Sequence, residues 1–115
     1  MTRRNVLVVE DEEIIRHMAS EMVEVAGFAP IEAANADEAL VLLERRHDID
    51  ALFTDVEMPG SLNGLALAHL VHERWPGIRI VVTSGRVSAE QVGDEFACFL
   101  AKPYVFASVE RALQG

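Results

Sequence analysis

The sequence predicts an α/β fold of the doubly wound kind, a five-stranded parallel sheet with helices on both faces. Three observations lead there: five short apolar runs, a helical periodicity after each of them, and short polar connections throughout. Strand–helix alternation with short loops implies right-handed crossovers, hence parallel strands hidden from water on both sides. The 115 residues suit one such unit, because a chain of this length supports a single hydrophobic core.

Asn5-Val6-Leu7-Val8-Val9 is a β-branched run that stops abruptly at acid, the pattern of a central strand. Over residues 13–26, Ile14, Met18, Met22 and Val25 recur at helical spacing, and Gly27 stands where a left-handed cap belongs. Residues 29–33 are weakly apolar and suit an edge strand, where the missing donor of Pro30 is tolerable. Asn35 offers the N-cap of a second helix, with Glu38 three residues on and Leu40 and Leu43 on its buried side, ending near Arg46. Residues 51–54 make a third strand with Asp55 at its carboxyl end, and Met58-Pro59-Gly60-Ser61 is turn chemistry. Leu65, Ala68, Val71 and Trp75 mark a third helix stopped by Pro76-Gly77, and residues 78–83 a fourth strand. Residues 88–96 leave room for only about two turns of helix. Residues 97–101 read as the fifth strand, and Val105, Val109, Ala112 and Leu113 as a last amphipathic helix.

Composition narrows the function. A net charge of −9 repels a phosphate backbone, so nucleic-acid binding is not expected. No run approaches the roughly 20 apolar residues that span a bilayer, and no membrane association is expected. Only Val6-Leu7-Val8-Val9 separates the basic N-terminus from Glu10-Asp11-Glu12-Glu13, too little for a secretory signal, so the expected location is the cytoplasm. Cys98 is a lone cysteine among apolar residues and reads as a core side chain. His69 and His72 lie one helical turn apart without a third ligand beside them, which reads as a solvated face. Arg86 stands near the mouth of the expected cleft.

In open parallel sheets ligands bind beyond the carboxyl ends of the strands. Those ends present Glu10-Asp11, then Asp55, then Thr83-Ser84, then Lys102-Pro103. Each alone has an ordinary reading as a turn residue, a cap or a helix-dipole partner; together at one sheet edge they point to chemistry. Three carboxylates in one cleft repel one another unless a cation sits among them, and hard oxygen ligands at this density suit Mg²⁺. Lys102 is the natural opposite wall, able to pair with a carboxylate or with a phosphoryl oxygen, and a hydroxyl at Ser84 can donate to another such oxygen. Phosphoryl transfer asks for in-line positioning and charge neutralisation, which these groups supply around an acceptor oxygen of Asp55.

The motifs Val8-Val9-Glu10-Asp11-Glu12, Phe53-Thr54-Asp55-Val56-Glu57-Met58-Pro59-Gly60, Val82-Thr83-Ser84-Gly85 and Leu100-Ala101-Lys102-Pro103-Tyr104 resemble, in order, those of the receiver domain of bacterial two-component response regulators. The resemblance covers essentially the whole chain. It implies the flavodoxin-like (βα)₅ fold with strand order 2-1-3-4-5, phosphorylation of Asp55, and Mg²⁺ held by Asp11 and Asp55, by Glu10 through water, and by the backbone carbonyl of Glu57. It further implies that Lys102 binds the phosphoryl group, that its bond to Pro103 is cis, and that Ser84 (or, alternatively, Thr83) and Phe99 form the switch. The implied partners are a histidine kinase or histidine phosphotransfer protein and a downstream protein target. Because the sequence stops at Gly115, directly after the last helix, the expectation is a stand-alone receiver over residues 1–115 with no output domain.

Three departures from the family pattern stand out. The stretch 60–64 is about one residue longer than usual, and the stretch from Ser84 to Lys102 about four residues shorter, so that the fourth helix is clipped and the usual dimer through that face is not expected. The switch aromatic, Phe99, has no hydroxyl to offer a partner, so any inward turn is driven by packing. A haloacid-dehalogenase-type phosphatase is the contrasting enzyme reading. It requires a second aspartate two residues after the nucleophile, and Glu57 stands there. A receiver that binds partners without phosphorylation is disfavoured by the intact Asp11, Asp55 and Lys102.

Overall fold

The computed structural model describes residues 3–58, 62–85 and 97–114. Its elements alternate as β1 (Asn5–Val9), α1 (Glu13–Val25), β2 (Ala29–Ala33), α2 (Ala36–Arg45), β3 (Ile49–Asp55), α3 (Gly64–Arg74), β4 (Arg79–Ser84), β5 (Ala97–Ala101) and α4 (Phe106–Gln114). All strand pairs are parallel and their order is β2-β1-β3-β4-β5. The short helix expected over residues 88–96, Arg86 and the turn at residues 59–61 lie outside the described residues.

Alternation along the strands divides the core in two. Leu7, Val9, Leu52, Ile80 and Val82 face α2 and α3, where Leu43, Leu67, Ala68 and Val71 meet them. Val6, Val8, Phe53 and Val81 face α1 and α4, against Ala19, Val23, Val109 and Leu113. Both sides of the central strands are therefore dry, which explains their unbroken apolar sequence. Caps follow local chemistry. Asn35 Oδ1 accepts from the Glu38 backbone N–H at 2.8 Å, and Asn63 does the same for Ala66 at 2.9 Å. Gly27, at φ 99°, ends α1 in the left-handed conformation that glycine adopts without a Cβ clash.

Of the hydropathy stripe of α1, Met22 packs against the core but the other three residues face solvent. Ile14, Met18 and Val25 are 75%, 55% and 74% exposed, while the inward side is formed by Ala19, Ser20 and Val23. These smaller side chains let α1 lie close to the sheet, a preference that hydropathy does not register. Val105 likewise is exposed and precedes α4 rather than packing within it. Cys98 is partly buried on β5, against the α1–α4 side of the core. Trp75 caps α3, packs on the opposite core, and carries the Arg74 guanidinium over its ring at 4.5 Å.

The start of α3 is held unusually close to the end of β3. Gly64 donates its backbone N–H to the Val56 carbonyl at 3.1 Å, and a Cβ added at Gly64 would collide with the Asp55 carbonyl oxygen. Backbone has replaced side chain at that contact, so the collision has no flexible group to relieve it. Gly64→Ala should therefore destabilise the chain by about 1–3 kcal/mol or more. Gly77→Ala, where a Cβ meets nothing within 4 Å, should cost less than about 0.5 kcal/mol. Urea unfolding of both variants checks the contrast, and equal midpoints would contradict it.

Candidate functional site

The strand order reverses between β1 and β3, and both carry acid at their carboxyl ends. Glu10 follows β1 directly and Asp55 ends β3; both are 5% exposed, while Asp11 is exposed. One carboxylate oxygen from each of Glu10, Asp11 and Asp55 lies within 4.8 Å of the others. From β5, Lys102 brings Nζ to 3.2 Å from Asp55 Oδ1. The peptide bond Lys102–Pro103 is cis, and the Lys102 backbone N–H donates to the Ser84 carbonyl at 2.8 Å. That bond ties the β5 end to the β4 end.

The hydroxyls at the end of β4 point to different partners. Thr83 Oγ1 faces the Thr54 carbonyl on the neighbouring strand at 3.5 Å. Ser84 Oγ donates to Glu57 Oε1 at 2.6 Å. Phe99 lies on β5 opposite Val82 and is partly buried. Tyr104 closes the inner side of the cleft, its ring edge-on to Phe53 at 5.7 Å between centroids. Burial, and then the negative charge of Glu10 and Asp55, pushes its hydroxyl up to about 12, so it stays protonated.

Electrostatics set the cluster apart from surface acid. Burial, followed by the charge of Asp55, raises Glu10 to about 8. Asp55 is also raised, first by burial, but Lys102 and a hydrogen bond from Glu10 act in the opposite direction. Both carboxyls are therefore held above the ordinary carboxylate range, and Lys102 favours the anionic form at Asp55. Among the described residues, Asp55 Oδ1 has no hydrogen-bond partner and meets Lys102 Nζ at 3.2 Å as an ion pair. A buried orphaned carboxylate oxygen among three converging carboxylates is the donor set that a hard divalent cation completes.

Two contributors escape a reading by motif. Arg16, from the buried side of α1, donates through Nη1 to the Glu10 carbonyl at 2.9 Å and through Nε to Glu32 at 3.0 Å, fixing the loop that carries Glu10 and Asp11. Its position one turn before Ser20, and seven residues before Val23, is the available sequence signal. The second is the side chain of Glu57, for which the motif suggests only a backbone role. His69 and His72 are exposed on α3, away from the cluster.

A family model described as the response regulator receiver domain matches residues 6–113. The chain belongs to this receiver family. The receiver is 32% identical over 91 residues to an NtrX-like response regulator of Rickettsia felis, covering 78% of this chain but 19% of that protein. It therefore spans about a fifth of the length of the first curated relatives it matches. Among solved structures, it resembles the chemotaxis protein CheY4 of Vibrio cholerae with a TM-score of 0.86 and 27% identity over 98% of both chains. A response regulator receiver protein of Sinorhizobium medicae, at a TM-score of 0.89 and 24% identity over 97% of this chain and 92% of that one, shares the fold. Receiver membership, with the strand order found here, replaces the phosphatase alternative. No described helix is long and apolar enough to cross a membrane.

The raised Glu10 has a consequence for stability. A native carboxyl that holds its proton more tightly than the unfolded chain does loses that advantage as pH rises through its folded pKa. Without divalent metal, the melting temperature should therefore fall as pH is raised from about 4.5 to about 8, the interval between the ordinary and the folded value. Asp55, shifted in the same direction, adds to the fall. Thermal melts across this window should show a shallower fall for Glu10→Gln, and identical slopes would contradict the shift.

Proposed function

We propose that this receiver is a phosphorylation switch that takes a phosphoryl group onto Asp55 from a histidine kinase or histidine phosphotransfer protein and passes the change to a protein target. The carrying observation is the buried Asp55 carboxylate, flanked by Glu10 and Asp11 on one side and by Lys102 at 3.2 Å on the other. Glu10, Asp11, Asp55 and the Glu57 backbone carbonyl would hold Mg²⁺. When bound, Mg²⁺ neutralises charge on the phosphoryl oxygens and leaves the acceptor carboxylate free to approach them.

The protein groups then have separate tasks. An Asp55 oxygen attacks phosphorus as the donor's N–P bond breaks, with the bonding electron pair leaving on the imidazole nitrogen. Lys102, anchored by its backbone to β4, turns from the carboxylate toward an equatorial phosphoryl oxygen. Ser84 donates its hydroxyl to another; its place at the β3–β4 end favours it over Thr83, whose hydroxyl faces the β3 backbone. Phe99 follows by packing. Return to the resting state is hydrolysis of the acyl phosphate at the same centre, so the chain assists its own phosphorylation and dephosphorylation rather than turning over an external substrate.

The outward face of α1 supports a protein donor. Met18 lines, with Ile15, Ala19, Met22, Pro103 and Tyr104, an apolar groove of about 330 Å³ that ends at Lys102. Ile14 and Val25 extend the exposed apolar surface along the same helix. A donor helix seated there would bring its phosphohistidine to the cleft with apolar surface buried on both partners. We assign the cytoplasm as the location on the strength of this kinase-dependent chemistry.

Incubation with acetyl phosphate and Mg²⁺ should add one phosphoryl group by intact mass, and Asp55→Asn should remain unmodified. An adduct that survives Asp55→Asn, or no adduct on the parent chain, would refute the assignment.

A further inference from the structure

We infer that the Glu57 side chain is a latch on Ser84, holding in the resting chain the hydroxyl that the phosphoryl group must recruit, and thereby slowing phosphorylation of Asp55. This inference rests on the phosphoacceptor reading and deepens it by adding a positioning residue. Ser84 is 1% exposed, and its Oγ donates to Glu57 Oε1 at 2.6 Å, the short separation of a charge-assisted bond. A serine hydroxyl has one proton to donate. The proton given to Glu57 is the one required by a phosphoryl oxygen on Asp55, so the two bonds exclude each other.

The surroundings leave side-chain rotation as the route between the two states. Val56 donates its backbone N–H to the Thr83 carbonyl at 2.9 Å, Gly64 donates to the Val56 carbonyl at 3.1 Å, and Lys102 donates to the Ser84 carbonyl at 2.8 Å. The backbone beside both latch residues is thus pinned into the sheet edge. The Glu57 carboxylate lies two residues beyond Asp55, and its Ser84 partner ends the neighbouring strand. A phosphoryl group at Asp55 would add negative charge beside this carboxylate and draw Ser84 away from it. Repulsion of Glu57 and capture of Ser84 then act together as a two-state switch.

The test is a double-mutant cycle on the whole chain, reading the rate of phosphoryl addition from acetyl phosphate with Mg²⁺ by intact mass. Releasing a hydroxyl from a charged acceptor should make Glu57→Ala about tenfold faster than the parent. Glu57→Gln, whose amide oxygen still accepts from Ser84 but without charge, should fall between them. In a Ser84→Ala background there is no hydroxyl to release, so adding Glu57→Ala should leave only the smaller gain from removing its charge, about twofold. Equal acceleration in both backgrounds would assign the effect to the Glu57 charge alone and overturn the latch. So would an unchanged or slower Glu57→Ala in the parent background, provided its melting curve shows a folded chain; if it does not fold, the Glu57→Gln comparison decides by the same criterion. Absence of any adduct on the parent chain overturns the phosphoacceptor reading and the latch with it, and is distinguishable because no variant then matters.

Discussion

The structure depends on a charge imbalance at the β1–β3 edge. Three carboxylates converge there, two of them buried, and one lysine opposes them. Burial makes each negative charge costly, and proximity raises that cost further. Burial holds Glu10 toward its protonated form, and Lys102 stands against Asp55. Both devices are removable. A divalent cation can take the place of the proton, and a phosphoryl group can take the lysine, so the same strain that disfavours the resting cluster favours its proposed ligands.

The surrounding scaffold keeps these groups from relaxing apart. Arg16 fixes the β1–α1 loop through the Glu10 carbonyl, and Gly64 lets α3 start directly against the Asp55 backbone. The bond from Lys102 N–H to the Ser84 carbonyl closes the far side. In the proposed switch this hydrogen-bonded backbone keeps the charges together while Lys102, Ser84 and Glu57 exchange partners. The same face of the molecule turns the apolar residues of α1 outward beside the cleft, where the proposed protein donor would dock.

Much of this was legible from sequence because the central strands announce themselves. Val6 to Val9 and Leu52 to Phe53 are apolar on both faces, and the residue that follows each run marks a sheet edge where function concentrates. The periodicity of α1 misled for a physical reason. Its inward side uses Ala19, Ser20 and Val23 to approach the sheet closely, whereas its most hydrophobic side, Ile14, Met18 and Val25, is exposed. Hydropathy ranks residues by transfer from water and is blind to the space a helix leaves beneath it. The Ser84–Glu57 bond was likewise invisible, because it joins residues 27 apart in sequence through the β3–β4 register. No local pattern encodes such a pairing.

On the proposed reading, the acidic cluster is a cation site electrostatically linked to Asp55 and Lys102. Calorimetric titration of Mg²⁺ into the parent chain, Asp11→Asn and Lys102→Met measures that link directly. One ion per chain should bind the parent, more weakly in Asp11→Asn, which removes a ligand, and more tightly in Lys102→Met, which removes the competing cation. Affinities unchanged by both substitutions, or no binding to the parent, would contradict the account.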